Sequence, residues 1–572
     1  MYIARVRLQR FRGFAEQVII PRRHVAIVGE PRAGRTDLIT AVRRVLDPRS
    51  TSRAPDLSDL HQSPTPAQGS EEVLATEVEV TLLGLDPARE QDLHERLELI
   101  DPNSGLPADQ EQGHQGQLGV RICYRLYLDE ITGEYEHMWL YPATGAAVPR
   151  AERLLLAVVV IGSSLPLQLR AGGVLRRLAN DLDADGLATA FRALGKDVTA
   201  ATGKLAKVKG VEQSITAILG TGAAQLLELD GPNPQSAFAF TSDDGSGEAV
   251  LRRLQATLAL DGPVALPLSS HGSTTSAVLS VAEAMVASAA DLPGAIILAD
   301  DFGDDLDAAA GETLAALLRR KSGQAWISTR RPEVVRAFDP TEVLRLTCSH
   351  GERRHHQLVP TTDRKLRVGR RSLFLLLPAM TTKAVALLEG PHDLEGYGAV
   401  AARRVQDSGT LPPSAFGVRL VAPGVADGGK DQLPKLARLA NDLGFHVRVV
   451  LDNDKPGSDE GLIEELKPLV EQIIRLPAWT AIEKALVRGL LPDDLRSVLA
   501  SLNDDFGLGL DVLAVDDLEG CLVTQLKKKG GLHQPFVDAL PSGAIPPLAA
   551  AVLDALSRPC DTQVLVEVGT AS

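Results

Sequence analysis

A short apolar run, His24 to Val28, passes directly into Gly29-Glu30-Pro31-Arg32-Ala33-Gly34-Arg35-Thr36, and Leu38 to Leu46 then takes helical spacing that stops at Asp47-Pro48. Strand, glycine loop and helix in that order let backbone amides and a helix N-terminus hold an anion. The pattern calls for two glycines with four residues between them, then a cation and a hydroxyl. Loop amides cradle phosphate, the cation neutralises charge and the hydroxyl ligates Mg²⁺. Gly29, Gly34 and Thr36 stand at those places. Arg35 stands where a compact ammonium is usual, and its planar fork need not fit around phosphates. Taken alone, the loop reads equally as an ordinary glycine turn.

The 572-residue chain exceeds what one core supports, so two or three domains are expected. Hydrophobic residues at 44% and charged residues at 23% are those of a globular protein, and 4% aromatics argue against a carbohydrate or base-stacking surface. Cys123, Cys348, Cys521 and Cys560 form no C-x-x-C pair, which disfavours a zinc site and a disulfide framework and fits a cytoplasmic setting. The N-terminus does not read as a signal peptide. The longest apolar run, Leu154 to Ile161, is too short to span a bilayer, so no membrane segment is expected. The net charge is −14, yet eight Lys or Arg against two acids lie between Arg345 and Arg371. This basic linker, with Arg364, Lys365, Arg367, Arg370 and Arg371, is the candidate for DNA backbone contact; a solvated strand pair is the other reading.

Periodicity orders the rest. Tyr2 to Arg10, Val73 to Leu83 and Val120 to Tyr141 alternate as strands, with a loop over 49–72. Leu165 to Leu229 turns helical, and Gly231 to Gly247 is turn-rich. A strand at Val264 to Leu268, a helix at Ala277 to Ala290, and strands at Ile296 to Leu298 and Ala325 to Ser328 resume the first sheet. A second α/β unit follows, with strands at Ala384 to Leu388 and Val447 to Leu451 around a helix at Leu394 to Val405. The expected units are 1–164 with 241–345, a helical insertion over 165–240 that would dimerise, the linker over 346–380, and 381–572.

Further constellations join the glycine loop. Ile296-Ile297-Leu298-Ala299-Asp300-Asp301 resembles a Walker B strand, whose first carboxylate holds Mg²⁺ and whose second polarises water. Ser269-Ser270-His271-Gly272-Ser273 resembles an ABC signature loop, and Ser328-Thr329-Arg330-Arg331-Pro332-Glu333 the family's switch. Four elements in this order, with the Arg12-Gly13-Phe14 opening, resemble an ABC-type ATPase domain. The resemblance implies ATP and Mg²⁺ bound by Gly29, Gly34, Arg35, Thr36, Ser270, Gly272, Asp300, Asp301 and Arg330, and a homodimer or higher even-numbered assembly. Asp301 replaces a usual Glu, and Arg35 and Arg330 replace the usual Lys and His, which argues against rapid turnover.

Leu388-Glu389-Gly390-Pro391-His392-Asp393 and Leu451-Asp452-Asn453-Asp454 resemble the two Toprim motifs, a glutamate after one strand and Asp-x-Asp after another. Carboxylates at strand ends offer hard oxygens to Mg²⁺ or Mn²⁺. Gly428-Gly429-Lys430 resembles the glycine turn between the motifs. An ABC-type ATPase N-terminal to Toprim is the arrangement of the OLD-family endonucleases, shared with the nuclease subunit of the Gabija anti-phage system. The fold this implies is α/β: an ABC-type mixed sheet with a helical insertion, then a Rossmann-like Toprim domain. The implied function is DNA cleavage in anti-phage defence, with a helicase-like partner in some settings. The implied metal ligands are Glu389, Asp452, Asp454 and Glu483, with Thr36 and Asp300 in the first domain; Lys529, from the run Lys527 to Lys529, would steady charge on the cleaved phosphate. Asp393 reads equally as a metal-site residue and as a helix cap. The alternative is a non-cleaving, DNA-binding regulatory or structural ATPase of the recombination-loader type. No nucleophilic tyrosine stands out among Tyr124, Tyr127, Tyr135, Tyr141 and Tyr397, which argues against a topoisomerase, and no zinc-ligand cluster supports a primase.

Overall fold

The computed structural model describes residues 1–48, 55–61, 75–109, 116–129, 131–156, 158–161, 166–169, 173–218, 250–251, 253–259, 263–290, 294–359, 363–424, 429–560 and 564–569. The N-terminal part is built from β1 (Tyr2–Phe11), β2 (Phe14–Ile19), β3 (Val25–Gly29), β4 (Ala75–Leu83), β5 (Glu98–Ile100), β6 (Gln117–Leu128), β7 (Tyr135–Leu140) and β8 (Val158–Ile161). To these it adds β9 (Thr257–Leu258), β10 (Leu266–Pro267), β11 (Ile296–Ala299), β12 (Gln324–Ser328), β13 (Val343–Ser349) and β14 (Glu352–Gln357).

An antiparallel sheet runs β2-β1-β4-β6-β5, with β7 also on β6. A second sheet runs β14-β13-β3-β12-β11-β8, parallel except for β14 at its edge. The sequence explains β3 at the centre: Val25-Ala26-Ile27-Val28-Gly29 is apolar throughout and buried throughout, as a strand covered on both faces must be. The helix Arg35–Leu46 lies between the two sheets, its Leu38, Val42 and Val45 packing with Ile3, Val6, Val25 and Ile27. The opposite face of the parallel sheet is covered by the helices Gly272–Ala290 and Ala308–Lys321.

Helices Val174–Ala206 and Lys209–Ile218 follow β8, so the expected insertion is helical over 174–218 apart from a short break; the turn-rich stretch from Gly231 to Gly247 lies outside the described residues. The expected strand from Val264 shrinks to Leu266–Pro267, paired only with β9 and exposed, because prolines at 263 and 267 deny it ladder hydrogen bonds. The helix expected from Ala277 already starts at Gly272.

The basic linker over 346–380 is corrected. Residues 343–357 form the β13–β14 hairpin of the nucleotide-type sheet, and Asp363–Leu376 is a helix whose Leu373 and Leu376 enter a core shared with the C-terminal unit. Arg345, counted among its charges, is fully buried. It donates to the carbonyls of Leu443 and Thr382 at 2.8 and 2.7 Å and stacks 3.6 Å over Phe445.

The C-terminal unit contains β15 (Ala384–Leu387), β16 (Val418–Val421), β17 (His446–Leu451), β18 (Gln472–Arg475) and β19 (Leu565–Glu567), all parallel, in the order β16-β15-β17-β18-β19. Alternation assigns the faces. Ala384, Ala386 and Leu388 join one core with Tyr397, Leu486 and Leu522, while Val385 and Leu387 join the other with Leu376, Leu436 and Ile463. The crossover from β18 to β19 carries five helices between Ile482 and Ser557. At the junction, Gly444 takes φ +72° and leaves no room for a Cβ, which would meet the His356 ring at 2.4 Å. Among the described residues, no helix is long and apolar enough to cross a membrane.

Candidate functional site

Two sets of polar groups collect at the carboxyl ends of the parallel strands. In the first, β3 runs into the glycine loop. Gly29 adopts φ +151° beside β13, where a Cβ would lie 2.3 Å from the Leu346 carbonyl oxygen, and Gly34 at φ +95° starts the helix Arg35–Leu46. Thr36 Oγ1 donates to Asp300 Oδ1 at 3.3 Å, and Asp300 also accepts from Ser328 Oγ at 2.5 Å. The hydroxyl and carboxylate expected to share a magnesium ion are therefore already paired, across β3, β12 and β11.

Arg35 Nη1 donates to the carbonyls of Gly29 and Thr329, each at 3.4 Å, and its Nη2 lies 3.8 Å from Asp301. Arg330 pairs with Asp304 and stands 3.9 Å from Asp301. Asp301, at φ +45°, is thus bracketed by Arg35 and Arg330. Burial, then the neighbouring Asp300, push its carboxyl upward against both arginines. A 530 Å³ cleft is lined by Ser269, Gly272, Ser273, Asp300, Asp301 and Asp304. Gly272 of the signature-like loop therefore faces the same space as the carboxylates, whereas Ser270 is exposed on the preceding turn and Ser269 takes its place in the lining.

In the second set, Glu389 follows β15 and Asp452 follows the adjacent β17. Glu389 Oε1 accepts from the Asp452 amide at 2.9 Å, and Asp452 Oδ2 accepts from the Ile482 amide at 3.4 Å. That contact places Glu483 beside Asp452. Its Oε2 is buried without a hydrogen bond, with Lys527 Nζ 3.9 Å away. Asp393 is buried and accepts from the Gly390 amide at 2.7 Å, so it caps the helix Pro391–Ser408 while adding its charge to the cluster. Asp454 is exposed at the rim.

The electrostatics are those of crowded anions. Burial first, then Asp393, Glu389 and Glu483, raise the Asp452 carboxyl well above the usual range. Burial and then Glu389 push Asp393 up to about 7. Glu389 is raised by burial, with the Asp452 amide and Lys430 opposing. Lys430, outside the residues singled out as catalytic, pairs with Asp459 at 2.8 Å. Hard oxygens that repel one another when partly desolvated are the donor type that suits Mg²⁺ or Mn²⁺.

Of the lysine run, Lys529 turns away and donates to the Phe506 carbonyl at 2.7 Å, while Lys527 approaches the cluster. Arg370 and Arg371 are exposed, Arg370 lying 4.0 Å from Asp339. The side chains of Arg364, Lys365 and Arg367 lie outside the described residues. Two residues with no sequence signal also stand here: Tyr397, fully buried with an unpartnered hydroxyl, and His533, stacked on His392.

No family model and no characterised protein matches the sequence. Among solved structures, the chain is similar to an Smc head bound to the C-winged helix domain of ScpA, at 15% identity and TM-score 0.36, covering 64% of this chain and 100% of that one. It is similar to the SMC head domain from Thermotoga maritima, at 13% identity and TM-score 0.30, covering 63% and 100%. A third is an Smc head domain with an extended coiled coil bound to the C-terminal domain of ScpA, derived from Pyrococcus furiosus, at 14% identity and TM-score 0.35, covering 64% and 98%. These likenesses are loose, and they assign no activity.

Proposed function

We propose that the chain is an OLD-type, metal-dependent DNA endonuclease that cleaves at a Toprim site, with its ABC-type N-terminal unit serving as ATP sensor and dimeriser in anti-phage defence. The observation that carries this reading is the placement of Glu389 and Asp452. They follow β15 and β17, the neighbours where the strand order β16-β15-β17-β18-β19 reverses, and doubly wound sheets bind ligands at that crevice. Asp393 and Glu483 lie beside this pair and add to the negative charge around Asp452, a set of hard oxygen donors of the kind that divalent cations take.

Glu389, Asp452 and Glu483, with Asp454 at the rim, would hold Mg²⁺ or Mn²⁺, which supplies positive charge to the attacking and leaving oxygens of a phosphodiester. The protein's own residues do the rest. Asp393 fixes the helix that follows Glu389, the Ile482 amide orients Asp452, and Lys527 offers a cation to charge building on phosphate. In the N-terminal unit, Thr36 and Asp300 would hold the magnesium of ATP, and the engagement of Asp301 by Arg35 and Arg330 fits binding with slow turnover.

The test incubates purified protein with supercoiled and linear DNA, with Mg²⁺ or Mn²⁺, with and without ATP, beside Asp452→Asn. Cleavage by the wild type alone supports the reading, and the ATP lanes give the sign of nucleotide control. Cleavage retained by Asp452→Asn removes these carboxylates from the mechanism; no cleavage by either protein favours the non-cleaving ATPase.

A further inference from the structure

A second group of ligands lies next to the carboxylates and differs from them in chemistry. His392 and Glu395 are three residues apart at the start of the helix Pro391–Ser408, so they share one face. His533 opens the helix His533–Asp538, which packs against that face. His533 is 0% exposed, yet neither of its ring nitrogens has a hydrogen-bond partner, and the buried Nδ1 of His392 has none either. The two rings lie stacked, 4.7 Å between centroids and 19° from parallel. Glu395 Oε1 accepts from the Gln534 amide at 3.2 Å, which holds the carboxylate beside the rings. One ligand atom from each of the three residues lies within 4.8 Å of the others, and among the described residues this is the group of His, Cys, Asp or Glu that converges so closely.

Buried imidazole nitrogens without partners are costly, and a protein interior rarely keeps several in one place. A cation accounts for them. We propose that His392, Glu395 and His533 form a binding site for a borderline transition-metal ion of the Zn²⁺ class, separate from the hard-cation site at Glu389 and Asp452. Two imidazoles and one carboxylate select Zn²⁺ or Co²⁺ over Mg²⁺, and three protein ligands leave a fourth position for water. Ligand bonds of about 2.0–2.2 Å in a tetrahedral site put donor atoms roughly 3.3 Å apart. The 4.8 Å span therefore closes by about 1.5 Å, which rotation of the two rings about their broad χ2 torsions can supply. The site also has a mechanical consequence. Gly530, just after the lysine run, packs near the His392 ring: a Cβ at this position would meet the ring at 3.5 Å. The ion would staple the turn that follows Lys527 to the helix that follows Glu389, and so set their separation.

The test uses Co²⁺ as a coloured probe on the full chain, stripped with chelator and then dialysed against the metal. The expected result is about one equivalent retained, with the visible absorption of low-coordinate Co²⁺, displaced by Zn²⁺ and not by excess Mg²⁺. Asp452→Asn should keep that absorption. His533→Phe, His392→Gln and Glu395→Gln should each weaken retention by more than about tenfold. If His533→Phe does not fold, the two partly exposed positions decide the matter. Equal absorption in the variants of all three positions, or its loss in Asp452→Asn alone, would overturn the proposal.

Discussion

Arg345 ties the two halves together, and replacing it with Met measures that tie. The guanidinium is fully buried, donates to the Leu443 and Thr382 carbonyls at 2.8 and 2.7 Å, and stacks on Phe445. Hydrogen bonds from a charged donor contribute about 1.5–3 kcal/mol each, and a desolvated cation–π contact about 2 kcal/mol. Against these stands the desolvation of the charge, which holds the Arg345 pKa down to about 10 and which Met, a similar volume without charge, returns. The net expectation for Arg345→Met is a loss of about 2–4 kcal/mol, or a fall of roughly 1 M in the urea midpoint of the affected transition. Tryptophan fluorescence reads both halves, since Trp139 and Trp326 lie in the N-terminal sheets and Trp479 beside the second site. Arg345→Lys should not rescue, because one ammonium cannot reproduce a fork that bonds two carbonyls and a plane that stacks. An unchanged midpoint with an unchanged slope in Arg345→Met would refute the argument.

Arg35→Lys should tighten ATP binding at least about tenfold, the worth of one charge-assisted hydrogen bond, by releasing Asp301 and the Gly29 carbonyl; calorimetry showing no gain would mean that the cradle is closed for another reason. His24 accepts the Ala325 amide at Nδ1, and burial first, then Arg319 and Arg23, with Asp339 opposing, hold its pKa down to about 4. The folded state binds this proton less readily than the unfolded one, so the contribution is complete above the ordinary value near 6.5 and is lost as pH falls toward 4. Thermal melts between pH 7.5 and 4.5 should therefore decline, less steeply in His24→Gln; identical slopes would exclude His24. Arg370→Ala with Arg371→Ala should weaken DNA binding and lower the slope of log affinity against log salt by about 2, and an unchanged slope would take both off the DNA path.

Local features of the sequence carried much of the architecture. The run from His24 to Leu46 needs only its own residues to become strand, loop and helix, and the strands at 296–299 and 324–328 lie within a residue of their apolar runs. That Glu389 and Asp452 end neighbouring strands was legible for the same reason, because Glu389 follows the apolar run Ala384–Leu388 and Asp452 the run Val449–Leu451. What was illegible depends on distant partners. Val343-Leu344-Arg345-Leu346 alternates like a strand, but a buried Arg345 makes sense only with the Leu443 carbonyl, 98 residues away. Counting charge let the arginines outweigh Leu373 and Leu376, the apolar pair that packs the helix 363–376 into the core. Lys527 and Lys529 differ in helical phase, and that phase is set by Leu522 and Leu526 entering the core, with Lys529 past the helix end. No spacing rule connects His392 with His533.

The position of Arg345 also limits how a nucleotide could act on cleavage. Arg345 lies opposite Val28, and Leu346 opposite Gly29, so β13 borders the strand that enters the glycine loop. Its contacts in the other unit, Thr382, Leu443 and Phe445, all precede β15 and β17, whereas Glu389 and Asp452 follow those strands. The nucleotide-type loop therefore reaches the C-terminal unit at the strand ends opposite the carboxylates. On the proposed function, a change at Gly29 or Arg35 would pass through close-packed strands and displace the C-terminal unit as a body, without rearranging the Asp452 cluster. On that route ATP would change how two copies present their sites to DNA while leaving the metal affinity of each site alone. Arg345→Met should then remove the ATP dependence of cleavage at a urea concentration where basal cleavage persists. Loss of both together would show that the join holds the carboxylates in place.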